Sequence, residues 1–529
     1  MAIFYLAGAI LCVVLYFAFL KRFTYWESRG VLQYGYLVNL RELLLGLISY
    51  RGITEIIQTI YDAFPESRFC GVYQFSRPTL VIRDPELIKK VTVEDFEYFT
   101  DHINIALAQD SEPIWQKNLI ALKGEKWKDM RATLTPSFTS SKMKTMFDLI
   151  SNYAKAFVGY FEEHPDEVHS MQMKDVFGRF TNDIIATCAF GINCDSMRNP
   201  QNEFYLMGKD ITSFTGFWAN LRKVFTLLFP RLAKRLQITF FSKRAAHFFT
   251  TLIPEIIASR EQNGITRPDM IHLLMEARKG RLNFDKTIEE TEFRVIERVA
   301  DRKEEERKKE QLTDMDITAQ ALVFFLAGFD SVSSLMCFMA HELAINADIQ
   351  ERLQLEVDDT VRQCRGNITY EALSKMEYMD MVVSETMRKW PVGVFSGRVC
   401  TKPYTIKPEK EGEKAVKLNV NDSLWIPIFA IHRDENNYEN PTRFDPERFN
   451  RENRASVLPY QFIPFGVGPR SCIGNRFALM ETKLVFFYLL SKFNLVVTEK
   501  TDVPLQLGKH AFQLKAKNGF WLALKARTR

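Results

Sequence analysis

The sequence lacks the cysteine patterns that mark zinc sites and disulfide-stapled domains. Its 529 residues include eight cysteines, with no C-x-x-C pair and no zinc-ligand spacing. Cysteines scattered through a chain this long are typical of buried thiols in a reducing compartment. We therefore expect at most one or two of them to carry chemistry. A zinc hydrolase is disfavoured too, since His341-Glu342 begins an H-E-x-x-H pattern but Ile345 ends it.

The sequence also lacks a dominant sign of charge. It has 70 Lys and Arg against 65 Asp and Glu, a formal net charge of +5, and no long basic block. Nucleic acid is therefore not an expected partner. The most charged stretch, residues 297–312, mixes both signs and is interpreted as a solvated helix end or loop.

The first 20 residues contain no charge at all. As a helix with a rise of about 1.5 Å per residue they would span roughly 30 Å, the thickness of a bilayer's hydrocarbon core. Lys21, Arg22 and Arg29 follow, which predicts a signal-anchor helix over residues 1–22 with the rest of the chain cytosolic. The alternative is an uncleaved secretory signal, in which case the sequons at Asn367 and Asn421 would be glycosylated.

No proline occurs before Pro65, and no repeat or low-complexity linker divides the chain. The pattern predicts one mainly α domain with a smaller β part over residues 67–529, behind a connector over residues 23–66. The expected elements are a helix-compatible stretch at 43–60, a hairpin at 70–82, a long helical middle at 85–390, short apolar runs and turns to 465, a helix at 473–493, and closing strands.

Residues 464–474, P-F-G-V-G-P-R-S-C-I-G, hold a cysteine among glycines just before a helical run. Glycines let the backbone approach a flat, bulky group closely. The helix start would place N–H groups and positive dipole near the Cys472 sulfur, which favours a thiolate. Arg470 adds a fixed cation two residues away. The plain alternative is a turn with a buried cysteine.

This segment resembles the F-x-x-G-x-R-x-C-x-G signature of cytochrome P-450 enzymes, at Phe465, Gly468, Arg470, Cys472 and Gly474. The resemblance implies the cytochrome P-450 fold and a haem b whose iron is ligated by Cys472. The sequence as a whole most resembles insect microsomal members that metabolise xenobiotics. This resemblance implies a location in the endoplasmic reticulum membrane.

The resemblance extends to further landmarks in the expected order. Glu385 and Arg388 match the family's E-x-x-R, and Arg448 lies in a P-E-R-F segment; the three are expected to support the cysteine loop structurally. Trp127, Arg131 and Arg398 match positions that, together with Arg470, face the haem propionates.

Residues 327–331, Ala-Gly-Phe-Asp-Ser, interrupt an apolar helix expected to begin near Ile317. They resemble the family's A-G-x-[DE]-T, in which the acid and the alcohol relay protons to bound dioxygen, here Asp330 and Ser331. Serine replaces the usual threonine and loses the methyl group that fixes its rotamer. We expect competent turnover that releases more peroxide per NADPH. The alternative is a helix kink with a solvated Asp.

The resemblance implies consumption of O₂ and of two electrons from NADPH, delivered by a membrane-bound flavoprotein reductase, with or without cytochrome b₅. The chain carries no dinucleotide fingerprint for a fused flavin domain. Three cations are expected to dock the reductase: Lys126, Lys128 and Arg454.

The substrate pocket is expected to be aromatic and to accept lipophilic molecules. By resemblance its walls come from residues 102–120 and from Phe324, Phe325, Phe329, Val394, Phe395 and Phe512. Residues 204–230 resemble a membrane-dipping entrance loop, with ordinary helix packing as the alternative. Xenobiotic oxidation is the leading function. The other hypotheses are hydroxylation of a hormone or lipid, a haem-thiolate isomerase or dehydratase, and a non-catalytic haem sensor or binding protein.

Overall fold

The computed structural model describes residues 21–47, 50–74, 77–103, 113–212, 222, 225–226, 230–239, 242–267, 269–279, 312–453, 459–510 and 514–528. The expected anchor, apart from its last two residues, lies outside this part of the chain. So does most of the charged stretch at 297–312.

The described residues are mainly helical, with a smaller share of strand, as the sequence predicts. The α-helices are α1 (Tyr36–Leu47), α2 (Ile53–Asp62), α3 (Pro85–Lys89), α4 (Pro113–Gln116), α5 (Gly124–Leu134), α6 (Ser140–Glu163), α7 (Met173–Ile185), α8 (Glu203–Thr212), α9 (Pro230–Arg235), α10 (Lys243–Asn263), α11 (Met270–Arg278), α12 (Asp314–Leu326), α13 (Val332–Ile345), α14 (Ala347–Gln363), α15 (Tyr370–Ser374), α16 (Glu377–Lys389), α17 (Ile428–Ile431) and α18 (Asn475–Lys492).

Shorter helical turns link these helices. The 3₁₀ turns are Lys21–Thr24, Glu27–Arg29, Phe96–Tyr98, Thr135–Phe138, Pro165–Glu167 and Pro446–Phe449. The π-helical turns are Lys90–Glu94, Ala186–Phe190 and Ala327–Ser331.

The strands form three small sheets. They are β1 (Phe69–Gln74), β2 (Arg77–Ile82), β3 (Met171–Gln172), β4 (Ser396–Val399), β5 (Tyr404–Ile406), β6 (Val416–Leu418), β7 (Ser423–Ile426), β8 (Phe493–Val497) and β9 (Trp521–Ala526). The sheet orders are β1-β2-β7-β4, β3-β9-β8 and β5-β6. The predicted hairpin at 70–82 is confirmed, since β1 and β2 pair antiparallel with Phe69 opposite Ile82.

The largest sheet brings distant parts of the chain together. Strand β2 runs parallel to β7, with Thr79 opposite Ser423, and β7 pairs antiparallel with β4, which places Arg398 opposite Leu424. The sheet thereby fixes the arginine-bearing strand against the amino-terminal hairpin.

The helices α12 and α13 with the π turn between them form a central helix over residues 314–345. It begins three residues before the expected start because Thr313 and Asp316 make a reciprocal capping box. Among the described helices this one is long and apolar enough to cross a membrane, but 67% of its most apolar window is buried inside the protein. It is therefore a core helix, against which several neighbouring helices pack.

Two predicted segments differ in detail. The helix-compatible stretch at 43–60 is not continuous, because α1 ends at Leu47 and α2 begins only after Gly52, which adopts an extended conformation. The predicted helix at 473–493 is confirmed as α18, over Asn475–Lys492.

Candidate functional site

The loop before α18 has a backbone that only glycine permits. Gly468 has a φ of 73°, and a Cβ atom there would lie 1.9 Å from the carbonyl oxygen of Thr92. The loop closes on itself, since Ser471 N donates to Gly468 O at 2.8 Å and Cys472 N donates to Phe465 O at 2.9 Å. The signature residues therefore build a rigid mount for the Cys472 side chain.

Cys472 is the one exposed cysteine among those described. Burial nevertheless raises the pKa of its thiol, opposed by a backbone hydrogen bond from Gly474 and by the charge of Arg131. A side chain that is both accessible to water and densely surrounded by protein lines an internal cavity rather than the outer surface. The net direction of the Cys472 pKa is therefore opposite to the one expected from the helix dipole.

One face of the central helix is accessible although its other faces are buried. Phe324, Ala327, Gly328 and Ser331 are exposed or partly exposed in the middle of this core helix. Their spacing of i, i+3, i+4 and i+7 places them on one side. Phe138 connects this face to the cysteine loop, because its ring stacks on Phe324 with centroids 5.6 Å apart and lies 3.8 Å from the Cβ position of Gly474.

The π turn at Ala327–Ser331 releases backbone carbonyls from the helical ladder, and side chains take them up. Thr181 Oγ1 donates to Phe329 O at 3.0 Å, and Ser334 Oγ donates to Asp330 O at 2.8 Å. Ser331 Oγ donates to the carbonyl of Ala327. The helix is thus widened beside the cavity without leaving these carbonyls unsatisfied.

Asp330 is held by a lysine from α7. Lys174 Nζ lies 3.0 Å from Asp330 Oδ1 and donates to Asp330 O at 2.8 Å. Burial would raise the pKa of Asp330, but the charges of Lys174 and Lys515 outweigh it and lower that pKa. The carboxylate is therefore ionised at neutral pH.

The expected propionate-binding residues converge beside the loop. Arg398 donates to Val467 O at 3.1 Å, Arg131 to Ser471 O at 3.0 Å, and Arg470 to Thr100 O at 2.8 Å. The guanidinium of Arg470 lies 3.9 Å from the centre of the Trp127 ring. Burial lowers the pKa of Arg398 to about 10 and that of Arg470 to about 9.

These residues fit the two carboxylates of a haem. Nε of Arg398 is buried and has no hydrogen-bond partner among the described residues, and such a donor costs free energy unless an acceptor reaches it. The pKa of Arg470 is lowered by burial and by the charges of Arg398 and Arg131, so the cluster gains from added negative charge. The donor set therefore matches an anionic group next to Cys472.

The polar residues expected to support the cysteine loop contact one another in the structure. Glu385 accepts two hydrogen bonds from Arg388, at 2.7 and 2.8 Å, and both side chains are fully buried. Arg448 lies 3.6 Å from Glu385 Oε1. Arg388 also donates to His432 O at 2.9 Å, which ties α16 to the segment leading into the loop.

The expected pocket residues divide into two groups. Phe324 faces the accessible side of the central helix, and Phe395 is partly buried with its ring centroid 5.1 Å from that of Trp425. Val394 is buried. Phe325 and Phe329 are buried and stack on each other at 5.4 Å within the core. Phe325 also packs against Phe190 and Phe249, and a place for these two side chains in a pocket wall stays a prediction.

Several sequence-based expectations fall outside the described residues. They are Phe512, Arg454, residues 104–112, and Phe214, Phe217, Trp218 and Phe229 of the expected entrance loop. Phe204, from the same stretch, packs against Phe190, Phe249 and Phe325. For Phe204 the helix-packing alternative is correct.

Two residues near the site, Lys174 and Phe138, were missed from the sequence, and His102, within the expected pocket wall at 102–120, was given no role of its own. His102 Nδ1 lies 3.1 Å from Gly397 O and 3.4 Å from Arg398 Nη1. Lys174 and Phe138 also carry no motif. A lysine partner for Asp330 could have been expected on a neighbouring helix. Nothing in the sequence, however, distinguishes Lys174 from the other lysines.

The chain matches the family model described as cytochrome P450 over residues 43–523. It is 44% identical over 508 residues to cytochrome P450 9e2 of Blattella germanica, covering 93% of this chain and 91% of that protein. It is 38% identical to the probable cytochrome P450 9f2 of Drosophila melanogaster, with 90% of each chain covered. It is 34% identical to cytochrome P450 6k1 of Blattella germanica, with 98% and 95% covered. With Cys472 mounted beside an arginine cluster and a widened central helix, this chain belongs to the cytochrome P450 family of haem-thiolate monooxygenases.

Proposed function

We propose that this monooxygenase oxidises lipophilic small molecules, xenobiotics such as plant toxins or insecticides, with electrons from NADPH. The observation that carries the proposal is the accessible face of the central helix at Phe324, Ala327 and Gly328, which is apolar and adjoins Phe138 and the cysteine loop. A wall with aromatic rings and few polar groups recognises its ligand by apolar contact and shape.

Cys472 would ligate the haem iron. Four residues would hold the haem carboxylates: Trp127, Arg131, Arg398 and Arg470. Phe465, Gly468 and Gly474 would shape the loop around the group. When bound, the haem supplies the activation of O₂, which an anionic sulfur ligand favours by donating electron density. His102 joins this set as a residue that orients Arg398.

Two residues of the π turn, Asp330 and Ser331, would relay protons. Asp330 is kept ionised by Lys174, and the Ser331 hydroxyl points along the accessible helix face while it donates to the Ala327 carbonyl. This pair would move protons from the protein interior to the oxygen-binding side of the cavity. An isomerase or a haem sensor has no need of such a pair.

The electron donor in this proposal is a membrane-bound flavoprotein reductase, with cytochrome b₅ as a second possible donor. Helix α5 turns Trp127 and Arg131 inward, whereas Lys126 is exposed and Lys128 is partly exposed and paired with Glu125 at 2.9 Å. Cations on the outer side of this helix would attract an acidic partner surface to a position close to the arginines proposed to bind haem. Residues 1–22 would anchor the protein in the endoplasmic reticulum membrane with the catalytic domain in the cytosol.

The test is a difference spectrum of the reduced protein with and without carbon monoxide. It is recorded on membranes that express the wild type, Cys472→Ala or Cys364→Ala. Cys364 is partly buried on another part of the fold and serves as the matched control. We expect the far-red Soret band of a thiolate ligand in the wild type and in Cys364→Ala, and its absence in Cys472→Ala. Identical spectra for all three would contradict the assigned ligand.

Substrate class is tested separately with purified reductase and NADPH. Oxidised products from apolar toxins or insecticides, lost in Cys472→Ala, would support the proposal. A protein that shows the thiolate band but oxidises only a hormone or a fatty acid would refute the xenobiotic role and leave the monooxygenase chemistry intact.

A further inference from the structure

The central helix carries a buried glutamine that has no part in the proposed chemistry. Gln320 is fully buried in α12, and the residues around it in that helix are mostly apolar. A buried amide group costs free energy unless its oxygen and its nitrogen both find partners. The partners of Gln320 therefore indicate what a glutamine does at this position.

Both ends of the Gln320 amide bind the backbone of the segment that precedes α5. Its Oε1 accepts from Leu119 N at 2.8 Å, and its Nε2 donates to Lys117 O at 2.6 Å. One residue of a parallel β-strand would bind these same two backbone groups, so the side chain takes the place of a strand neighbour. The Lys117 ammonium also lies 2.7 Å from Asp316 Oδ1, one helical turn before Gln320. Residues 117–119 are thus fixed along the first turns of α12.

The same segment is bound from the side of the cysteine loop. Arg470 Nη2 donates to Leu122 O at 2.9 Å, and its Nε donates to Thr100 O at 2.8 Å. Asn118 Oδ1 accepts from two backbone N–H groups of the following turn, at 2.9 and 3.0 Å. Thr100 precedes the expected pocket wall at 102–120 and Leu122 follows it, so Arg470 joins the two ends of that wall.

Gln320 lies on the same side of the central helix as the accessible face. It precedes Phe324 by four residues and Ala327 by seven, so the three share one stripe. Phe324 and Ala327 are accessible, whereas Gln320 is covered by residues 117–119, next to α4, which packs against α12. The cavity along this face therefore ends at the helical turn that carries Gln320.

We propose that Gln320 is a specificity-determining residue, which fixes the end wall of the substrate cavity by binding residues 117–119 to the central helix. It is a positioning residue, since it acts through the wall and not on the reacting atoms. A wall held at this turn limits the length of a lipophilic molecule that lies along the accessible face. The inference rests on the haem site and the lipophilic cavity proposed above.

The test measures how long a tail the cavity accepts, with a series of 1-alkylimidazoles from methyl to dodecyl. The ring nitrogen of these compounds binds haem iron opposite the thiolate and shifts the Soret band. Each dissociation constant is therefore read from the spectrum of the full-length holoenzyme, with the alkyl tail in the cavity. Because only haem-loaded protein gives the shift, a ratio of dissociation constants does not depend on the amount of folded protein.

Gln320→Leu has a similar volume and removes both hydrogen bonds to residues 117–119. The matched control is Gln350→Leu on α14. Gln350 is also buried, and it makes the same pair of backbone contacts to β8, with Oε1 accepting from Leu495 N at 2.7 Å and Nε2 donating to Leu495 O at 3.0 Å. If Gln320→Leu does not retain haem, Gln320→Met replaces it, since methionine is unbranched and of similar length.

In the wild type we expect the affinity to rise with tail length until the tail meets the wall, and then to fall. In Gln320→Leu the longest tails should bind about tenfold more tightly relative to the methyl compound, the effect expected when about one further methylene group finds apolar space. Gln350→Leu should keep the wild-type profile.

The other outcomes separate this inference from the proposed function. Wild-type profiles in all variants would refute the role of Gln320 and leave the haem site intact. Equal shifts in Gln320→Leu and Gln350→Leu would refute it as well, because they would indicate a general loosening of the fold. A wild type that shows no spectral shift with any of the compounds would contradict the proposed haem cavity, and the inference would fail with it.

Discussion

Lys174 is bound to both ends of Asp330: its ammonium lies 3.0 Å from the carboxylate and donates to the residue's own carbonyl at 2.8 Å. The same ammonium donates to Ser333 and Ser334, each at 2.7 Å. One side chain from α7 therefore fixes both the charge of the acid and the backbone of the widened helix turn.

Lys174→Met should destabilise the protein and shift its pH dependence. The change removes the ammonium 3.0 Å from a partly buried carboxylate, which we expect to cost roughly 1–3 kcal/mol in the free energy of unfolding at neutral pH. Because the pair lowers the pKa of Asp330, its stabilisation is present above the ordinary carboxyl pKa of about 3.9 and lost as pH falls through the folded value. Urea unfolding from neutral to acidic pH measures both effects.

Lys209→Met is the matched control for that change. Lys209 pairs with Asp175 at 2.9 Å but is 61% exposed, so its loss should cost about 0–1 kcal/mol.

The acid limb of the product-formation profile should also move to higher pH in Lys174→Met, since the pKa of Asp330 rises. An unmoved limb would show that Asp330 is not the group that limits proton delivery.

Ser331→Thr should improve the coupling between NADPH consumption and product formation. The added methyl restricts the side-chain rotamer, so the hydroxyl that donates to the Ala327 carbonyl keeps a narrower range of positions. We expect more product and less hydrogen peroxide per NADPH, measured with one substrate and saturating reductase. Ser331→Ala should change both quantities in the opposite direction. An equal product-to-NADPH ratio in wild type and Ser331→Thr would rule out the rotamer explanation.

Glu385→Gln should destabilise the cysteine loop strongly, although the two side chains are nearly the same size. Glu385 and Arg388 are fully buried and doubly hydrogen bonded, and Glu385 also accepts from Asp445 N at 2.9 Å. Leaving Arg388 without its counter-charge should cost about 3–5 kcal/mol. Denaturant unfolding followed by far-UV circular dichroism and by the Soret band should show early loss of haem.

Asp359→Asn provides the control for Glu385→Gln, because Asp359 pairs with Arg362 at the same i, i+3 spacing but on the surface. Its effect should stay within about 0.5 kcal/mol. Equal effects for the two variants would mean that the buried pair does not support the loop.

The sequence is most informative where chemistry demands a fixed local pattern. Gly468 is predictable because it belongs to the ten-residue signature around Cys472, and the hairpin at 70–82 is predictable because β-branched residues flank a turn. Both depend on neighbours along the chain.

The orientation of the central helix shows where sequence reasoning stops. Phe324, Phe325 and Phe329 lie in a helix that is apolar on all sides, so periodicity does not tell which ring faces the cavity and which fills the core. His102 is harder still, because its partners Gly397 and Arg398 are almost 300 residues away along the chain. The pairing of β4 with β7 and the bridge between Asp101 and Val399 bring that strand to the site.

His432→Gln should flatten the acid dependence of stability. His432 is fully buried and its Nε2 accepts from Ile463 N at 3.0 Å, and burial with the nearby charge of Arg388 lowers its pKa to about 3. The unfolded chain binds a proton near pH 6.5 whereas the folded chain does not, so stability falls as pH drops below that value, by about 2 kcal/mol at pH 5. Glutamine can still accept from Ile463 but does not titrate, so the free energy of unfolding between pH 7 and 5 should lose this slope. His169→Gln, at an exposed position, should keep the wild-type slope. A His432→Gln curve parallel to the wild type would place the titrating group elsewhere.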